Sequence, residues 1–200
     1  MKRNDNMVRI LGSTSHGYEE REVLDFYATD PSSLSLFLSK IREDNIKLHQ
    51  NIWEIACGDG AISNHLKSLG YNVFCSDIVN RKNTCDAKLD VTKNIDGITF
   101  CGDILTNPPY KHAQDFIEKS INMVREDSLV IMYLRLQFLE GKKRKKLFDV
   151  YPPKYIYVHT ARQMTYKNND PKEKIKGSAV CFAWFIWQKG YTGDPRLRWI

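Results

Sequence analysis

The order of segments in this sequence predicts an α/β fold: a mostly parallel sheet covered by helices on both faces. Short apolar runs alternate with stretches whose apolar residues recur at helical spacing. The runs are apolar at consecutive positions, the pattern of strands buried on both sides. Two hundred residues fit one domain, long enough to bury a core without disulfides or a structural metal. No repeat, low-complexity tract or Pro/Gly/Ser linker divides them.

Residues 22–41 read as extended chain and then a helix, started by Pro31 and capped by Asp30 or Ser32. Residues 51–56 form the first buried strand. A glycine turn follows, then a helix over about 61–69 with Gly70 as its C′ residue. Residues 71–76 are the second strand, ending at Asp77. Residues 98–105 are the third, broken by Asn107-Pro108-Pro109. A helix over about 113–124 puts Phe116, Ile117, Ser120, Ile121 and Val124 on one face. Residues 129–134 are a fully apolar strand, and 142–149 look helical. The strands at 155–160 and 179–188 enclose a polar segment without a helix signal, so they predict an antiparallel hairpin.

Composition narrows the function classes. The chain is 42% hydrophobic and 27% charged, an ordinary globular balance. Its longest strongly apolar stretch, residues 179–187, is far shorter than the roughly 20 residues of a spanning helix. Residues 1–9 are polar and lack the apolar region of an export signal. Five cysteines without a C-x-x-C pair predict free thiols, most of them acting as small buried hydrophobes, in a reducing cytoplasm. Five scattered histidines, His16, His49, His65, His112 and His159, have no metal spacing and read as surface or capping residues. No metal is expected.

The net charge of +6 is uneven: residues 1–100 carry −2 and residues 101–200 carry +8, peaking at Lys142 to Lys146. A basic half attracts polyanions, which makes nucleic acid the partner to test. Taken alone, the five-residue run is better read as a solvated helix face.

Two constellations carry chemistry. Glu54-Ile-Ala56-Cys-Gly58-Asp-Gly60 closes the first strand and opens a helix. Glycines there let the backbone turn sharply and approach a ligand closely. Asp77 ends the next strand, where its carboxylate can accept from two ribose hydroxyls. A dinucleotide fingerprint needs a third glycine where this chain has Ser63, which favours a nucleoside over a pyrophosphate. By itself the glycine pair fits a ligand-free strand–turn–helix junction equally well.

Asn107-Pro108-Pro109-Tyr110 lies just past a strand end. Successive prolines remove donors and fix the chain, leaving the Asn107 amide and the Pro108 carbonyl as acceptors. Two such acceptors suit the two protons of an exocyclic amine, a poor nucleophile whose lone pair is delocalised into its ring. Tyr110 can stack on that ring.

The first constellation resembles motif I of class I S-adenosylmethionine-dependent methyltransferases, in which an acidic residue and two glycines cradle the cofactor's amino-acid part. The second resembles the signature of methyltransferases acting on planar nitrogens, most closely the DNA adenine-N6 enzymes. Residues 25–31, with Tyr27, Thr29 and Pro31, resemble the motif X that closes over the cofactor's methionine end. Asp90 resembles the motif III acid that accepts from the adenine amine, although Asp86 fits that role too. Phe74 or Ile78 is offered to the adenine ring, although either fits the core equally well. The segment 136–141 and the last two strands are similar to small phage or prophage adenine methyltransferases.

The resemblance covers residues 20–190. It implies a Rossmann-like, mostly parallel seven-stranded sheet with an antiparallel C-terminal hairpin, in one domain: a lead-in at 20–50, a core at 51–135 and a basic segment with hairpin at 136–190. It implies S-adenosylmethionine as cofactor, S-adenosylhomocysteine as product, no metal, DNA as partner and a monomer. Glu54, Ala56, Gly58, Gly60, Asp77, Ile78, Asp90, Asn107 and the motif X residues would hold the cofactor. Asn107, Pro108, Pro109 and Tyr110 would be catalytic. A recognition domain of ordinary size is missing, which leaves Lys143, Arg144, Lys146 and Arg162 to meet DNA. Arg162 could equally pair with a carboxylate such as Asp170. Methylation of an rRNA base or a protein glutamine, or an idle cofactor-binding module, are the competing readings. Intact Asn107 and Tyr110 argue against the last, and about 50 residues before the first strand leave little room for the helical domain of protein-glutamine enzymes.

Overall fold

The structure, a computed structural model, describes residues 27–93, 95, 97–161, 166–167 and 180–200. In chain order the elements are β1 (Tyr27–Ala28), α1 (Pro31–Glu43), β2 (Asn51–Glu54), α2 (Ala61–Ser68), β3 (Asn72–Asp77), β4 (Ala87–Lys88) and β5 (Asp103–Thr106). There follow α3 (Ala113–Met123), β6 (Leu129–Arg135), α4 (Lys142–Val150), β7 (Tyr155–Val158), β8 (Tyr166–Lys167), β9 (Phe182–Gln188) and β10 (Arg196–Trp199). Short 3-10 turns at Tyr110–His112 and Leu136–Leu139 lead out of β5 and β6.

Eight strands lie in the order β10-β7-β9-β6-β5-β2-β3-β4, while β1 and β8 pair apart from them. Strands β2 to β6 run parallel, and β9 lies antiparallel to both β6 and β7. The closing hairpin is therefore present, with Tyr155 opposite Ile186. The described sheet exceeds the seven strands expected. The short β4 and the edge strand β10 carry no continuous apolar run, and pairing with β3 and β7 holds them in place. The third strand begins at Asp103, not at residue 98. Ahead of it Gly97 takes a left-handed φ of 83°, and Phe100 makes only a single bridge to Val124.

Side-chain alternation along β6 splits the core. Ile131 and Tyr133 join Leu34, Phe37 and Ile41 of α1 and Leu66 of α2 on one face. Val130 and Met132 join Phe116, Ile117 and Ile121 of α3 and Leu147 of α4 on the other. Asp30 is the α1 cap, its Oδ1 accepting from the Ser32 N–H at 2.8 Å, and Pro31 opens the helix. Phe37 stacks on Trp184 of β9 at 4.7 Å, which docks α1 on the sheet.

Two readings need correction. His159, expected at the surface, is buried with Nε2 2.9 Å from Ser33 Oγ. Cys57 and Cys75 are buried as expected, but Cys101 and Cys181 are exposed because the strands beside them begin one or two residues later. Among the described residues no helix is long and apolar enough to cross a membrane.

Candidate cofactor and catalytic site

The carboxyl ends of β2, β3 and β5 open into a cleft of about 350 Å³. Its floor is the turn that links β2 to α2. Gly58 and Gly60 take φ values of +56° and +86°, the left-handed region that favours glycine. A Cβ on Gly60 would stand 3.0 Å from Asn64 Nδ2 and 3.1 Å from Thr84 Cγ2, so a side chain there would add to the strain of its φ by pushing both neighbours aside.

Asp77 shapes this turn as well as facing the cleft. Its Oδ2 accepts from the Gly58 N–H and its Oδ1 from the Val79 N–H, both at 2.9 Å. Each carboxylate oxygen has a second lone pair, so both can still meet a ligand hydroxyl. The Arg81 guanidinium stands 3.6 Å from Oδ1. The loop after β3 is tied back to the turn by Thr84 Oγ1, 3.1 Å from the Gly58 carbonyl, and by Lys82 against Asp59. Cys57 and Cys85 meet there with their sulfurs 3.2 Å apart. The ties from Thr84, Lys82 and Cys85 are not signalled in the sequence, because each joins residues more than 20 positions apart.

Glu54 lies at the base of the cleft and is almost fully buried. Burial pushes its carboxyl well above the ordinary glutamate value, against hydrogen bonds from Ser63 that pull it down. Its Oε2 has no hydrogen-bond partner among the described residues. A buried acceptor of this kind suits a cationic group such as the amino end of S-adenosylmethionine. The glycine turn, Glu54 and Asp77 thus fit the amino-acid and ribose parts of that cofactor.

Most other expected cofactor residues reach the same cleft. Ala56, Ile78, Asp90 and the buried Thr29 line it. Asp90 Oδ1 accepts from the Thr92 hydroxyl at 2.6 Å, and this bond, with Lys93 at 3.2 Å, holds its carboxyl below the usual range despite some desolvation. Asp86 instead accepts from the Cys75 N–H. Phe74 stands with its edge on Trp53, away from the cleft. Pro31 serves as the start of α1, and Tyr27 belongs to β1, whose backbone pairs with Lys167.

Asn107, Pro108, Pro109 and Tyr110 form the opposite wall, as the chain leaves β5. The Pro109 carbonyl accepts from the His112 N–H, which fixes the turn into α3. Tyr110 spans from the cleft to the C-terminal strands: its ring is 6.1 Å from Phe182 and 4.7 Å from the Arg135 guanidinium. Sequence reasoning did not single out Arg135.

The basic residues stand apart from the cleft. Lys143 and Lys146 are exposed on α4. Arg144 turns inward, donating to the Gln137 and Glu140 carbonyls at 2.9 Å and covering the Phe138 ring at 4.6 Å. Arg162 lies outside the described residues. Among the described residues no group of three or more metal-ligating side chains occurs.

No family model matches the chain, and no curated protein does. Solved structures do. A candidate RNA methyltransferase from Pyrococcus horikoshii is similar over 94% of this chain and 99% of its own, at a TM-score of 0.58 and 14% identity. A candidate class I S-adenosylmethionine-dependent methyltransferase from Listeria monocytogenes is similar over 98% and 71%, at 0.58 and 12%. A type IIG restriction endonuclease, BpuSI, is similar over 94% of this chain but only 27% of its own, at 0.57 and 16%. The fold of this chain is that of the class I S-adenosylmethionine-dependent methyltransferases.

Proposed function

We propose that this protein transfers a methyl group from S-adenosylmethionine to the exocyclic N6 of adenine in DNA. The observation that carries the reading is one cleft lined by Glu54, Gly58 and Asp77 on one side and by Asn107 to Tyr110 on the other. When bound, S-adenosylmethionine supplies an electrophilic methyl group on its sulfonium. Glu54, Ala56, Gly58, Gly60 and Thr29 would hold its amino-acid end, Asp77 its ribose, and Ile78 and Asp90 its adenine.

Asn107 Oδ1 and the Pro108 carbonyl accept from the target amine and favour a pyramidal nitrogen. Tyr110 stacks on the target ring and fixes its plane. Catalysis is then orientation plus charge stabilisation, and the methylated nitrogen loses its proton to solvent without a dedicated base. A DNA substrate is supported by the motif resemblance, by the basic C-terminal half and by the likeness to a restriction endonuclease. Lys143 and Lys146 would meet the phosphate backbone, with Arg144 bracing the turn that leads into their helix. Arg162 would read a base edge or fill the gap left by an extruded adenine.

The test is tritiated methyl transfer from S-adenosylmethionine to DNA, RNA and protein, followed by nucleoside analysis. Label in N6-methyldeoxyadenosine is expected. Label confined to RNA bases or to glutamine would replace the DNA reading by one of its competitors.

A further inference from the structure

Arg135 ends β6, beside the strand that carries the catalytic motif, and its backbone is fixed. It sits opposite Phe182 in the antiparallel ladder, and the next residue, Leu136, donates its N–H to the Cys181 carbonyl at 2.8 Å. Its guanidinium covers the Tyr110 ring at 4.7 Å. The side chain is half-buried, and Nε, wholly shielded, has no hydrogen-bond partner among the described residues. No described carboxylate pairs with it. Proteins ordinarily pair a polar N–H that they shield from water. Arg144 shows the usual outcome in the same chain, with its Nη1 donating to two carbonyls.

A guanidinium stacked on a ring keeps its N–H donors in its own plane, open to a planar or tetrahedral anion. One sugar separates a nucleotide's base from its phosphate. An aromatic ring and a guanidinium in contact can therefore serve both parts of one nucleotide. We propose that Arg135 binds the backbone phosphate of the target nucleotide and so positions its base at Tyr110. This inference rests on the nucleic-acid reading above and assigns its substrate-side anchor, separate from the cofactor cleft.

The test compares the full-length protein with Arg135→Gln and Arg135→Lys, using methyl transfer to a short DNA duplex over a salt series and calorimetry with S-adenosylmethionine. Arg135→Gln should raise KM for DNA about tenfold, leave cofactor affinity unchanged, and lower the slope of log affinity against log salt by about one unit. Arg135→Lys should keep the slope and raise KM less, since the charge remains but the fork does not. If Arg135→Gln fails to fold, the Lys variant decides: a wild-type KM would overturn the proposal. Wild-type KM and slope in Arg135→Gln would overturn it too, as would a parallel loss of cofactor affinity. A changed site preference at constant slope would make Arg135 a reader of bases instead. Should the wild type methylate DNA while the variants behave as it does, only this inference falls. Should it label protein alone, the DNA reading falls first and takes this one with it.

Discussion

Glu54 buries a carboxyl whose Oε2 has no hydrogen-bond partner among the described residues. Its burial favours the neutral acid, so the folded carboxyl titrates above the ordinary value of 4.5. The unfolded chain ionises first, and stability is lost as pH rises above about 4.5 toward the folded value. Glu54→Gln should remove this penalty at neutral pH and raise Tm, by about 2–4 °C for each kcal/mol gained at this chain length. It should also weaken S-adenosylmethionine binding at least tenfold, about 1.4 kcal/mol. Calorimetry and thermal melts at pH 5 and pH 8 check both halves. A Glu54→Gln protein with wild-type affinity would remove Glu54 from the cofactor site. Asn107→Ala should separate binding from turnover, with cofactor affinity nearly intact and methyl transfer down by two orders of magnitude or more, about 2.7 kcal/mol. An equal loss of binding would make Asn107 a cofactor ligand alone. These residues were legible because each is an unusual choice at a strand end. Arg135, Thr84 and Cys85 were not, since their partners arrive from distant parts of the chain.

Helix α1 is fastened to the sheet through a small polar junction inside an aromatic core. Ser33 Oγ lies against His159 Nε2 and accepts from the Trp184 indole N–H at 3.3 Å. Burial drives the His159 imidazole from 6.5 down to about 4, only partly opposed by attraction from Asp30. The unfolded chain takes up a proton near pH 6.5 while the folded one refuses it until about pH 4. Stability should therefore fall as pH drops through that window, by up to about 3 kcal/mol. His159→Gln should flatten that slope in denaturant titrations between pH 4 and pH 7, and an unchanged slope would assign the acid sensitivity elsewhere. Helix boundaries were read to within about two residues, because caps and apolar spacing are local signals. The pairing of β10 was not, because Arg-Leu-Arg-Trp owes its strand to β7 and not to its own pattern.

Seen as a whole, the sheet is built out of chain order. Strand β9 lies between β6 and β7, although both precede it in the chain. It contributes Trp184 and Ile186 to one core and Phe185 and Trp187 to the other. Until residues 182–188 have been made, β6 is an open edge with apolar side chains on both faces, the kind of edge on which chains aggregate. At about 5–20 residues per second, that interval in translation lasts some seconds. The nascent chain then needs a holding partner, or speed, more than it needs intrinsic stability. A chain stopped at residue 179 should be insoluble alone and rescued by co-synthesis of residues 180–200. A soluble 179-residue chain with native helical content would show that the sheet closes without its late strand. A codon change that slows synthesis between β7 and β9 would lengthen the exposure without altering one residue of the product.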